Sequence, residues 1–136
     1  MKKIKLQVIA LVLVVASGFA SCSNDDDQQV IITKKSFVSA VTGPTTGTVN
    51  QELVLSVTFD VENKCSVFNK FIETATDNTK VIEVETKLEG VDCGTIPVSK
   101  ITTYKFKATA AGTYLFKFKK SATEFITQTI VVSSAS

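Results

Sequence analysis

Residues 53–61 read Leu-Val-Leu-Ser-Val-Thr-Phe-Asp-Val, with every odd position apolar and the even positions mostly polar. Successive side chains of an extended chain point to opposite faces, so this period of two gives one dry face and one wet face. Such a strand has to be central in a sheet packed against something else. The same alternation recurs elsewhere. Ile82, Val84 and Leu88 alternate with Glu83, Glu85 and Lys87. Tyr104 and Phe106 alternate with Lys105 and Lys107, and Tyr114, Phe116 and Phe118 with Lys117 and Lys119. Residues 37–41, 67–73 and 125–132 are further apolar runs bounded by turn residues, which brings the expectation to about seven strands. No convincing amphipathic helix interrupts them, and residues 28–34 read as a linker or an opening edge strand.

The amino-terminal region follows different rules. Residues 1–5 carry Lys2, Lys3 and Lys5, and residues 6–20 form an uncharged Leu/Val/Ala-rich run that ends in small residues. A spanning helix needs roughly twenty apolar residues. This run is shorter and stops abruptly at Ser21, Asn24 and Asp25, so it reads as a secretory leader rather than a retained anchor. Phe19-Ala20-Ser21-Cys22 resembles a lipobox, the signal after which bacterial lipoproteins are acylated on cysteine and cleaved just before it. That resemblance implies lipidation at Cys22. The competing reading is an ordinary signal peptidase site after Ala20, since Gly18-Phe19-Ala20 also satisfies the small-x-small rule. Cysteine number favours acylation: three cysteines in an exported chain leave one odd thiol, and lipidating Cys22 leaves the even pair Cys65 and Cys93. The following Ser23-Asn24-Asp25-Asp26-Asp27 is similar to the acidic export signals of Bacteroidota surface lipoproteins, and otherwise reads as a solvated linker. The expected organisation is a signal peptide over 1–21, a lipidated cysteine and acidic linker over 22–34, and one domain over 35–136.

Seven short antiparallel strands in about 100 residues suggest an immunoglobulin-like (Ig-like) β-sandwich. Ala111-Gly112-Thr113-Tyr114 resembles the approach to strand F in such domains, which implies that Tyr114 hydrogen-bonds back to the chain at the corner between strands E and F. The tryptophan of strand C and the cysteine pair between strands B and F of antibody domains are missing, and a small OB-type barrel remains the alternative. With strands lettered A to G in chain order, Cys65 falls between B and C and Cys93 between D and E, two connections at the same end of the sandwich. A disulfide between them is therefore expected, ahead of a reactive thiol pair or half a metal site.

Composition removes several kinds of chemistry. The chain has no histidine, so no Ser-His-Asp or Cys-His site and no histidine-bearing zinc site is available. Asp60, Glu62 and Asp92 can gather near the disulfide end as acids or calcium ligands, yet they fit no metal-loop spacing, and solvated loop carboxylates are the plainer reading. All fifteen basic residues are lysines, three of them in the leader, which leaves twelve against thirteen acidic residues. Without a basic excess or arginine forks, nucleic-acid binding has little support. The lysines on alternate positions from 105 to 119 read as a binding stripe or, more plainly, as the wet faces of half-buried strands. Gly43 and Gly47 flank Pro44, and Gly90 and Gly94 flank Cys93, as turn glycines rather than a phosphate loop.

These readings combine into an expectation. The chain is a lipid-anchored protein of the outer membrane, exposed at the cell surface, that contacts the membrane through its N-terminal lipid. Its non-catalytic domain binds or supports a protein partner at the cell envelope, with no cofactor and no metal. The runner-up is a glycan-binding accessory of a polysaccharide uptake system, which would want exposed aromatic rings.

Overall fold

The computed structural model describes residues 31–135, and the leader and Cys22 lie outside them. Nine strands make up the described residues: β1 (Thr33–Ser36), β2 (Val38–Thr42), β3 (Thr46–Thr48), β4 (Glu52–Val61), β5 (Ser66–Thr76), β6 (Thr79–Leu88), β7 (Val98–Lys107), β8 (Gly112–Lys119) and β9 (Phe125–Ser133). They form two sheets, one of order β2-β4-β7 and one in which β5 borders β6, followed by β8, β9 and β3. The protein is an all-β sandwich.

The alternation in β4 is realised residue by residue, with Leu53, Leu55, Val57, Phe59 and Val61 all buried. They meet Ile82, Val84, Phe116, Phe118, Ile130 and Val132 from the facing sheet. Aromatic rings knit the two layers together: Tyr104 of β7 stands edge-on to Phe71, Phe116 and Phe118, at centroid distances of 5.1, 5.9 and 5.7 Å. Such edge-to-face contacts contribute beyond the buried area alone. Burial pushes the Tyr104 hydroxyl far above the ordinary phenol range, with the Glu73 carboxylate adding to the shift.

Strand number and direction depart from the expectation. The seven expected strands are present, and two short ones join them. β1 pairs with β6 from Thr33 onward, so the last two residues assigned to the linker, Thr33 and Lys34, belong to the sheet. β3 lies within the segment read as a turn and pairs with β9 in parallel. Between β2 and β3 the chain crosses from one sheet to the other, and Gly43 and Gly47 serve that crossing. A Cβ on Gly43 would run into the Leu55 side chain, and one on Gly47 would lie 2.7 Å from Leu53 Cδ1. Close approach, rather than turn conformation, requires these glycines.

The β2-β4-β7 sheet and the antiparallel β8-β9 pair follow the Ig-like plan of strands A, B, E and F, G. The departure lies beside β8. A single strand C running antiparallel to F is replaced by the hairpin β5-β6, whose second strand runs parallel to β8 from Thr79 opposite Leu115 to Ile82 opposite Phe118. The expectation of purely antiparallel pairing is corrected at these two places.

Candidate functional site

The strand directions gather the chain's connections at two ends. At one end lie the β4–β5 connection with Cys65 and the β6–β7 connection with Cys93, joined as expected by a disulfide with Cα atoms 5.2 Å apart. The chain also enters the domain here. The Ile32 carbonyl accepts the Leu88 N–H at 2.9 Å, and Thr33 stands opposite Lys87. The loop from 89 to 97 is irregular, and Gly90, Asp92 and Gly94 all have positive φ. Its shape rests on these left-handed residues and on anchors to Cys65, whose carbonyl accepts the Glu89 N–H at 2.9 Å.

Beside the disulfide an open cleft of about 300 Å³ separates β1 from the ends of β4 and β7, with Phe37, Asp60, Glu62 and Pro97 on its walls. At its floor Thr86 is buried, and its hydroxyl bonds to the Lys34 carbonyl at 3.1 Å and the Ser36 hydroxyl at 3.2 Å. Thr86 takes the inward position of β6 after Ile82 and Val84, while Leu88, expected inward, is exposed where the strand ends. A satisfied hydroxyl closes this end of the core without an orphaned polar atom.

Of the three carboxylates singled out by the sequence, Asp60 and Glu62 line this cleft together, and Asp92 is not among its walls. Asp60 accepts the Ser99 hydroxyl at 2.6 Å and the Ser39 hydroxyl at 3.4 Å. Glu62 pairs with Lys34, and Asp92 sits in the exposed loop. Among the described residues no three acidic or cysteine side chains converge on a metal-sized site. The lysine stripe divides as well. Lys105 and Lys107 lie on β7 and Lys117 and Lys119 on β8, in different sheets, so the four share no face. Lys105 faces Glu52 at 3.6 Å, Lys119 faces Glu83 at 3.2 Å, and Lys117 lies over the Phe125 ring.

At the other end the connections are short. Thr76 pairs with Thr79, leaving Asp77 and Asn78 as a two-residue hairpin turn with Asp77 at φ 54°. The Asn78 carbonyl accepts the Leu115 N–H at 2.9 Å and so ties the turn to β8. The Tyr114 hydroxyl donates to the Ala110 carbonyl four residues upstream at 2.7 Å, the tyrosine corner that the sequence led us to expect.

Aromatic side chains point mostly into the core, and Phe37 and Phe125 are the exposed rings among the described residues. Comparison of the chain with protein-family models, with curated proteins and with solved structures gives no match.

Proposed function

We propose that this protein is a surface lipoprotein of the Bacteroidota type, anchored in the outer membrane by an acylated Cys22. Its sandwich domain binds or braces a protein partner of the cell envelope without catalysing a reaction. The observation that carries this reading is the cysteine count: with Cys65 and Cys93 bonded to each other, Cys22 is the one cysteine left, and it stands in a lipobox-like sequence. A disulfide is at home in an oxidising, exported compartment. Further support comes from the way the chain enters the domain at one end, leaving the opposite end, with Asn78 and Thr109, free to face a partner. The glycan-binding alternative has less in its favour, since two exposed phenylalanines among the described residues and a chain without tryptophan offer little to a sugar ring.

The test is acylation. Replacing Cys22→Ser should abolish fatty-acid labelling and release the domain from the membrane fraction. A Cys22→Ser protein that stays membrane-bound would overturn the tether.

A further inference from the structure

Ten large apolar side chains are exposed among the described residues, and six of them (Ile31, Ile32, Phe37, Leu88, Val91 and Ile96) belong to segments at the disulfide end. Val91 is 85% exposed and Ile96 76%, in a loop whose folding needs neither side chain. Ile31 and Ile32 are 63% and 57% exposed, at the point where the chain enters the domain. Exposed apolar residues scattered singly are unremarkable, but a group gathered at one end marks a surface that something covers.

We infer that the disulfide end rests on the lipid bilayer, with Val91 and Ile96 entering the interfacial region beside Ile31 and Ile32. This rests on the tether proposed above, and the length of chain outside the described residues identifies the occupant. Cys22 is nine steps from Ile31, at most about 32 Å of extended chain, so an acyl group on Cys22 tethers the domain by this end.

The local charges fit a shallow position among headgroups. Lys34 pairs with Glu62, and Lys87 with Glu89 at 2.6 Å, while the exposed Asp92 beside Val91 belongs to neither pair and its carboxylate stays at headgroup level. The disulfide acquires a second role in this arrangement. Cys93 lies between Val91 and Ile96 in sequence, and its bond to Cys65 holds both tips at the end of the sandwich. Docking at this end sets the orientation of the domain and presents the Asp77–Asn78 turn and the tyrosine corner away from the membrane.

The test uses the acylated protein in lipid nanodiscs of phosphatidylcholine and phosphatidylglycerol, observed through its Ile, Leu and Val methyl signals. Lipids carrying a nitroxide near the headgroup supply the probe. The methyls of Ile32, Val91 and Ile96 should broaden at least about threefold more than those of Ile101 and Val131, which are 70% and 49% exposed but lie on the sheet faces. Val91→Asp with Ile96→Asp should remove the difference at Ile32 while leaving the core signals of Val57 and Val84 unshifted, which certifies the fold. Equal broadening of loop and sheet methyls overturns docking. So does concentration-dependent broadening of the loop methyls without the nitroxide, which would assign the face to a second copy of the chain. The tether is scored separately, by the acyl mass on the Cys22 peptide. An unacylated chain with selective broadening overturns the tether and keeps docking, whereas an acylated chain without it does the reverse.

Discussion

The two ends of the sandwich are built on different physical terms. At the end carrying Asp77 and Asn78, connections are short and their backbone carbonyls are tied to the strands by hydrogen bonds, from the Leu115 N–H to Asn78 and from the Tyr114 hydroxyl to Ala110. At the other end a nine-residue loop leaves the sheet with three positive-φ residues, and a covalent bond holds it. A tight turn fixes itself through local conformation, whereas a longer loop loses more entropy on ordering and needs an outside constraint. Side chains are free to serve purposes other than folding where something else holds the backbone. The hydrogen-bonded end spends its residues on turn geometry, while the stapled end can display Val91 and Ile96 without endangering the core.

The largest effect expected from breaking this contrast comes from removing the staple. Cys65→Ala with Cys93→Ala should lower the unfolding free energy by about 3.5 kcal/mol in the chain-entropy picture for a loop of this length, read as a lower denaturant midpoint. Hydrogen exchange should then accelerate over residues 89–97 and leave the Asp77–Asn78 turn protected. Acceleration at both ends alike would show that the ends are not independently held.

A smaller effect is expected from the opposite end. Tyr114→Phe deletes the bond to the Ala110 carbonyl and keeps the ring against Phe106, at a cost of about 1 kcal/mol. Exchange should rise around residues 108–112 alone, and a loss as large as that of the disulfide variant would place the corner on a par with the staple.

The smallest effect serves as the reference between the ends. Glu83, on the outer face of β6, is held below the ordinary carboxylate range, first by its bond to Lys35 and then by Lys119, with burial opposing them. A lowered folded pKa means that the carboxylate stabilises the protein above its unfolded value near 4.5, and that the contribution is lost as pH falls through the folded value. Melting temperatures followed from pH 7 to pH 3 should fall less steeply in Glu83→Gln, whose acid limb an unchanged slope would assign to other groups.

Legibility in the sequence followed the same division between local and distant causes. Alternation located β4, β6, β7, β8 and, Leu88 and Thr86 apart, the inward residues along them, because the facing of side chains in a strand is a local property of the backbone. The Tyr114 corner was likewise readable from a few adjacent residues. By contrast β3 has three residues and no alternation to detect, and its position depends on a parallel partner in β9 far along the chain. The lysines of β7 and β8 looked like one stripe because sequence spacing reports which face of a strand is wet, and not which sheet the strand joins.

The all-β character, the dry faces of β4, β6, β7 and β8 and the pairing of Cys65 with Cys93 were legible in the sequence. Each of these follows from residue types at short spacing or from the order of the strands. The folded arrangement alone sets the second strand of the β5-β6 hairpin parallel to β8, brings Asp60 and Glu62 to one cleft without Asp92, and places Ile31, Ile32, Val91 and Ile96 at one end of the domain. The reason is physical. A strand's pattern fixes which side must be buried, but strands with similar apolar faces satisfy that demand beside several neighbours, and the choice falls to the packing of Phe71, Tyr104, Phe116 and Phe118 across the whole core.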